Sequence, residues 1–196
     1  VPDIAAFSRQ LANDFRSRYP QLDIYVTGSV MLDNAFAEAS QDDIKTLVPL
    51  MFLTLLVLVG ITLRSFSGTL AILIVIVFST ATAMGLAGWF GITLTAASVG
   101  APTLILTLAV SDSVHVLVTM FQQMRLGKSK NEAIVESVRI NLHPVFLTSV
   151  TTVIGFLTMN FSDAPPFRDL GNIVAMGIVA AFLYSIVLLP ALMAVI

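Results

Sequence analysis

Leu108-Ala109-Val110-Ser111-Asp112-Ser113-Val114-His115 sets one carboxylate inside an apolar run that continues for more than two helical turns on either side. An acidic side chain at membrane depth costs about 2.5–3.5 kcal/mol on insertion scales, and such groups usually face a bundle interior or a water-filled path. No other ionisable carboxylate of this chain lies so deep in a hydrophobic stretch. The position points to proton or ion coupling, because an acid there can load and release a proton as water access alternates between two faces. The plainer reading is a structural aspartate, hydrogen-bonded to hydroxyls on a neighbouring helix.

The surroundings of that run settle the broad class. Of 196 residues, 57% are hydrophobic and 11% charged, and mean hydropathy is +0.92. Globular domains are about 45–50% apolar and about 25% charged, so this is an integral membrane protein. A net charge of −2 with no basic stripe excludes a nucleic-acid partner. The absence of cysteine excludes disulfides, thiolate metal sites and a thiol nucleophile. Zinc spacings, phosphate loops and nucleophile elbows are missing as well, and Asp112 lacks the second membrane carboxylate that an aspartyl protease needs. The chain reads as a non-enzyme without cofactor or metal.

Five apolar runs meet the length of about 17–25 residues that a bilayer demands: Thr46–Leu63, Thr69–Phe90, Leu94–Phe121, Val145–Phe161 and Ile173–Ile196. Gly88 and Gly91 mark a short turn between the second and third. Basic residues orient the bundle. Arg64 lies in the first connection, and Arg125, Lys128, Lys130 and Arg139 lie in the loop of about 123–142, so both are expected in the cytoplasm. Within that loop, Asn131–Leu142 reads as an amphipathic helix lying at the headgroups, separate from the fourth span.

Residues 1–45 then lie on the extracytoplasmic side. Ile4, Phe7, Leu11 and Phe15 have helical spacing up to Pro20; Leu22-Asp23-Ile24-Tyr25-Val26 alternates like a strand; a polar helix is expected from Ser29 into the first span. About 45 residues of this kind cannot bury a core alone. With no delivery signal after Val1-Pro2-Asp3, they read as the C-terminal remnant of a larger external domain, preceded by at least one further span. The expected fold class is therefore an all-α membrane bundle of five helices (46–196) with a small, incomplete α+β extracytoplasmic segment (1–45).

Further polar residues fall inside the spans. His115 is three residues from Asp112 and shares its face, either as a relay partner or as a histidine meeting water near the cytoplasmic end. Thr148, Ser149, Thr151 and Thr152 put hydroxyls along the fourth span, with Gly155 allowing close approach. They can bond Asp112 or line a water path, though such hydroxyls also serve as ordinary interhelical contacts. Pro102 is expected within the third span, where it can kink the helix.

These residues resemble a known family. The 108–115 run resembles the fourth-helix motif of RND-superfamily exporters, particularly the MMPL and sterol-sensing-domain-like branch, whose usual form is Gly-Ile-Asp-Asp-Ser-Ile-His. Gly127 with Glu132-Ala133-Ile134, the stretch Thr148–Phe156, Pro165-Pro166-Phe167-Arg168-Asp169-Leu170-Gly171 and Leu189-Pro190-Ala191-Leu192 match further along. The five spans correspond to the second to sixth helices of one half, and residues 1–45 to the end of a porter-type domain. The resemblance implies a proton-driven exporter of hydrophobic or lipid-like substrates in the bacterial cytoplasmic (inner) membrane. A second transporter half or another protomer would be its partner within the lipid bilayer. Asp112 falls on the proton-relay position, with His115 as accessory and Ser111, Thr148, Thr151 and Thr152 as hydrogen-bond partners. Ser111 replaces the first of the usual two aspartates and Ala109 a usual glycine, which leaves a single relay acid. The alternative is a sterol-sensing-domain-like lipid sensor, or a partner-binding membrane module, that uses the same bundle without transport.

Overall fold

The structure, a computed structural model, describes residues 2–95 and 97–196. Val1, at the head of the expected N-terminal segment, and Ala96, within the expected third span, lie outside the described residues. The chain divides into two compact units, Val1–Leu50 and Met51–Ile196.

In the first unit, α1 (Pro2–Arg18) pairs with α2 (Ser29–Lys45). Pro2 sits in the first turn, where its missing N–H goes unneeded. Ala5 and Ala12, two turns apart, are the buried face of α1. Arg9 lies between them and grips the Glu38 carboxylate with both guanidinium nitrogens, at 2.7 and 2.9 Å. Asn34 donates to the same carboxylate at 2.7 Å. The expected strand at Leu22–Val26 is not formed. The segment is extended, but a strand needs a neighbour's ladder of N–H and C=O groups, and no second strand exists among the described residues. The Arg16 side chain takes the Ile24 carbonyl instead. The N-terminal segment is helical, not α+β.

Five helical stretches are long and apolar enough to cross a membrane: Ser29–Leu63, Phe66–Trp89, Ser98–Arg125, Lys130–Phe161 and Pro165–Val195. They comprise, besides α2, α3 (Leu47–Leu63), α4 (Phe66–Trp89), α5 (Ala101–Arg125), α6 (Lys130–Leu157), α7 (Pro165–Leu183) and α8 (Leu189–Val195). A π-turn, Tyr184–Leu188, joins the last two. Helices are the expected answer to hydrocarbon, since every backbone group is satisfied within its own segment.

Two boundaries differ from the sequence-based expectation. Asn131–Leu142 is not a separate surface helix, because α6 runs unbroken through it and through Pro144. A capping box starts the helix: the Ser129 hydroxyl accepts from the Glu132 N–H, and the Glu132 carboxylate accepts from the Ser129 N–H at 3.0 Å. Pro144 removes one helical bond, and side-chain bonds hold the turn before it. Asn141 donates to the Ser137 carbonyl at 2.8 Å, and the buried Ser137 hydroxyl donates to the Val116 carbonyl of α5. Pro102, in turn, kinks nothing. It lies in the first turn of α5, after a short 3-10 turn at Ser98–Gly100 in which the Ser98 hydroxyl accepts from the Thr95 N–H at 2.7 Å.

Helix α7 touches α4, α5 and α6. One buried cluster includes Ile72, Val75 and Ile76 of α4, Leu106 and Leu117 of α5, and Leu189 of α8. Another joins Ala83 and Ala87 to Ile105, Ile173, Val174 and Ile178. Lipid tails are as apolar as these side chains, so association depends on close packing, which small residues permit. A Cβ on Gly171 would strike the Phe156 carbonyl oxygen of α6, and one on Gly177 would strike the Ile105 side chain. Gly171→Ala is therefore expected to destabilise the bundle by about 1–3 kcal/mol. Gly177→Ala should cost less, because a side chain can yield where a backbone carbonyl cannot. Thermal melting of the two variants in detergent checks the order.

Candidate functional site

The short turn between α5 and α6 dictates what can meet Asp112. Leu126 caps α5, Gly127 takes a positive φ of 93°, and the capping box at Ser129 begins α6 at once. Two helices joined this tightly run antiparallel, so residues equally far from the turn lie side by side. Asp112 accordingly faces the stretch of α6 from Asn141 to Thr152.

Between them is a cavity of about 170 Å³. A water occupies about 30 Å³ of liquid, so the space suits a small cluster of waters. From α5 it is lined by Leu108, Ser111, Asp112 and His115. From α6 come Asn141, Pro144, Val145, Thr148, Ser149 and Thr152, and Ile178 of α7 closes the back. Asp112 is buried, with 9% of its surface exposed, whereas Ser111 and His115 are exposed. Asp112 and His115 are the titratable groups of this lining; the α6 and α7 residues carry none.

The hydrogen bonds divide the α6 lining into two kinds. Thr148 donates back to the carbonyls of Pro144 and Val145, at 3.1 and 3.0 Å. Thr152 donates to the Thr148 carbonyl at 2.7 Å, and Asn141 donates to Ser137. With their hydrogens committed to α6's own backbone, the threonines present oxygen lone pairs to the cavity. Ser149 is different: its hydroxyl is buried and makes no hydrogen bond within α6, and it lies beside Asp112. A carboxylate only accepts, while a protonated carboxyl also donates. The Ser149 hydroxyl therefore suits the charged acid and the threonine oxygens suit the neutral one. The lining can serve both protonation states of one carboxyl.

Comparison with known proteins places the chain in a family. The sequence profile of the MMPL family matches residues 5–196, almost the full length. This chain belongs to the MMPL family. A protein of Methanocaldococcus jannaschii, whose name says only that it is a membrane protein, is 32% identical over 133 residues. The match covers 68% of this chain and 33% of that relative, so the chain spans about a third of the relative's length.

Within this MMPL chain, the structure gathers Asp112, Ser111, His115, Thr148 and Thr152 around one cavity. It does not bring Thr151 there. Thr151 is exposed on another side of α6 and donates to the Leu147 and Thr148 carbonyls. Asn141 was not singled out from sequence, and Ser149 only as one hydroxyl of a stripe able to bond Asp112. Ser149 stood in the hydroxyl stripe and its spacing alone did not separate it from its neighbours. Asn141 fell in a segment read as a loop helix. Ser149→Ala is expected to shift the infrared carboxyl band of Asp112 in the full-length protein, and Thr151→Ala to leave it in place.

Proposed function

We propose that this chain is part of a proton-motive-force-driven RND/MMPL-type exporter of hydrophobic or lipid-like substrates, with Asp112 as the proton carrier. The observation that carries the reading is a buried carboxyl on a cavity with room for a few waters, whose polar lining suits it charged and neutral. Ordinary structural aspartates need one state and one set of partners, whereas a carrier needs both. Membership of the MMPL family supports transport as the class of activity.

In this reading Ser149 donates to the ionised carboxylate, and Thr148 and Thr152 accept from the protonated form. His115, one turn along α5, stands at the more exposed end of the cavity, where a proton enters or leaves. Ser111 widens the polar rim. The Arg64 connection, the α5–α6 turn and the basic first turns of α6 face the cytoplasm and residues 1–45 the extracytoplasmic side of the cytoplasmic (inner) membrane of a bacterium, as the basic residues favour. The remaining bundle is supplied by a second half or another protomer.

Asp112→Asn keeps the shape and removes the titrating proton. In vesicles containing the full-length protein, pH-gradient-driven movement of a fluorescent long-chain lipid is expected to fall at least tenfold in this variant at equal protein levels. Unchanged movement would sink the carrier role. Lipid binding without movement in the unaltered protein, indifferent to the gradient, would favour the sensor instead.

A further inference from the structure

The π-turn at Tyr184–Leu188 plays no part in the cavity, yet both polar side chains it presents are bonded to other helices. The Tyr184 hydroxyl lies 2.9 Å from Thr82 Oγ1 of α4. Ser185 Oγ lies 3.1 Å from Ser113 Oγ of α5, and both serines are wholly buried. Ser113 is the residue after Asp112. Successive helical residues point about 100° apart, so α5 shows its acid to α6 and its neighbouring hydroxyl to the π-turn.

The π-turn has a local cause. Pro190 has no N–H for the Ile186 carbonyl, and its ring crowds that carbonyl. The Leu189 N–H reaches back to the Tyr184 carbonyl, five residues away, and one extra residue is taken into the turn. Such turns are rare, occur mostly as single-turn bulges within α-helices, and recur at functional sites. The turn cannot slide towards the C-terminus, because Pro190 blocks it. The stretch thus interrupts the α-helical bonding of the last span, and it is bonded to the helix that carries the acid.

We propose that Ser185 and Ser113 are positioning residues for Asp112, and that the π-turn is the yielding joint that lets α5 adjust when the acid changes charge. This rests on the carrier reading for its purpose, but the measurement does not. Four helices border the acid's neighbourhood. Near the level of the acid α5 carries Asp112 and His115, α4 carries no titratable group, α6 carries His143, which is exposed and outside the cavity, and on the last span Tyr184 is bonded to Thr82. The other charged groups, Arg125 on α5, Lys130, Glu132, Glu136 and Arg139 on α6, and Arg168 and Asp169 on α7, lie towards the helix ends.

The test titrates the Asp112 carboxyl directly, by infrared spectroscopy of the full-length protein in lipid nanodiscs. The band is identified by its loss in Asp112→Asn. Ser185→Ala is expected to move the titration midpoint by about half a pH unit or more, about threefold in proton affinity. Ser185→Thr, which keeps the hydroxyl, is expected to restore it. Ser113→Ala should give the same shift, and the double variant no more than either, as a shared bond requires. Should Ser185→Ala fail to accumulate, Ser113→Ala makes the same test from the other side. Deleting Val187, which returns the stretch to α spacing, should also move the midpoint. An unmoved midpoint in the serine variants, or a shift that threonine does not restore, overturns the positioning role. An unmoved midpoint in the deletion overturns the role of the π-turn. Loss of these effects alongside gradient-driven transport that fails in Asp112→Asn leaves the carrier reading standing, and the reverse result leaves the positioning pair standing without it.

Discussion

A charged carboxylate cannot be held in hydrocarbon without partners, and that constraint organises this bundle. Asp112 must be screened from lipid by other helices, given polar neighbours, and left room for water. Each demand has a visible answer: α6 supplies hydroxyls, α7 closes the cavity with Ile178, and the volume between them suits water. The tight turn at Gly127–Ser129 makes the first of these possible. A looser connection would not hold α6 against α5 at the level of the acid.

The same helix α5 serves two neighbours. Its Asp112 side looks into the cavity, and its Ser113 side is bonded to the π-turn of the last span. Small residues on α7 allow this crowding, because Gly171 and Gly177 let α6 and α5 approach closely enough for single hydroxyls to matter. In a membrane, where apolar contact gives no net drive for helix association, that closeness is the main source of cohesion.

Much of the fold was legible in advance because hydrophobic length is a strong signal. Five spans follow from it, while α1 follows from the helical spacing of Ile4, Phe7, Leu11 and Phe15 and the break near Gly88–Gly91 from its glycines. The places where reading failed have a common cause. Asn131–Leu142 carries charges and amphipathic spacing, so it looked like a surface helix. A capping box and a buried Ser137–Val116 bond make it one piece with the fourth span. Leu22–Val26 alternates like a strand, but alternation cannot provide the second strand. Pro102 looked like a kink because the helix start, one residue earlier, was not evident from hydropathy.

The candidate site shows the same division. The sequence by itself determined that Asp112 lies at membrane depth, that His115 shares its side of the helix, and that a run of hydroxyls lies in the following span. These are statements about composition and helical periodicity, which are local. Only the tertiary structure decided which hydroxyls count. Thr148, Ser149, Thr151 and Thr152 are chemically alike and adjacent, so their roles depend on the rotation of α6 about its axis and on where each hydrogen is already committed. Rotation turns Thr151 away, and backbone bonding leaves Ser149 as the one with a free hydrogen beside the acid. The bond between Ser113 and Ser185, 72 residues apart, lay equally beyond local reading, since nothing in either stretch names the other.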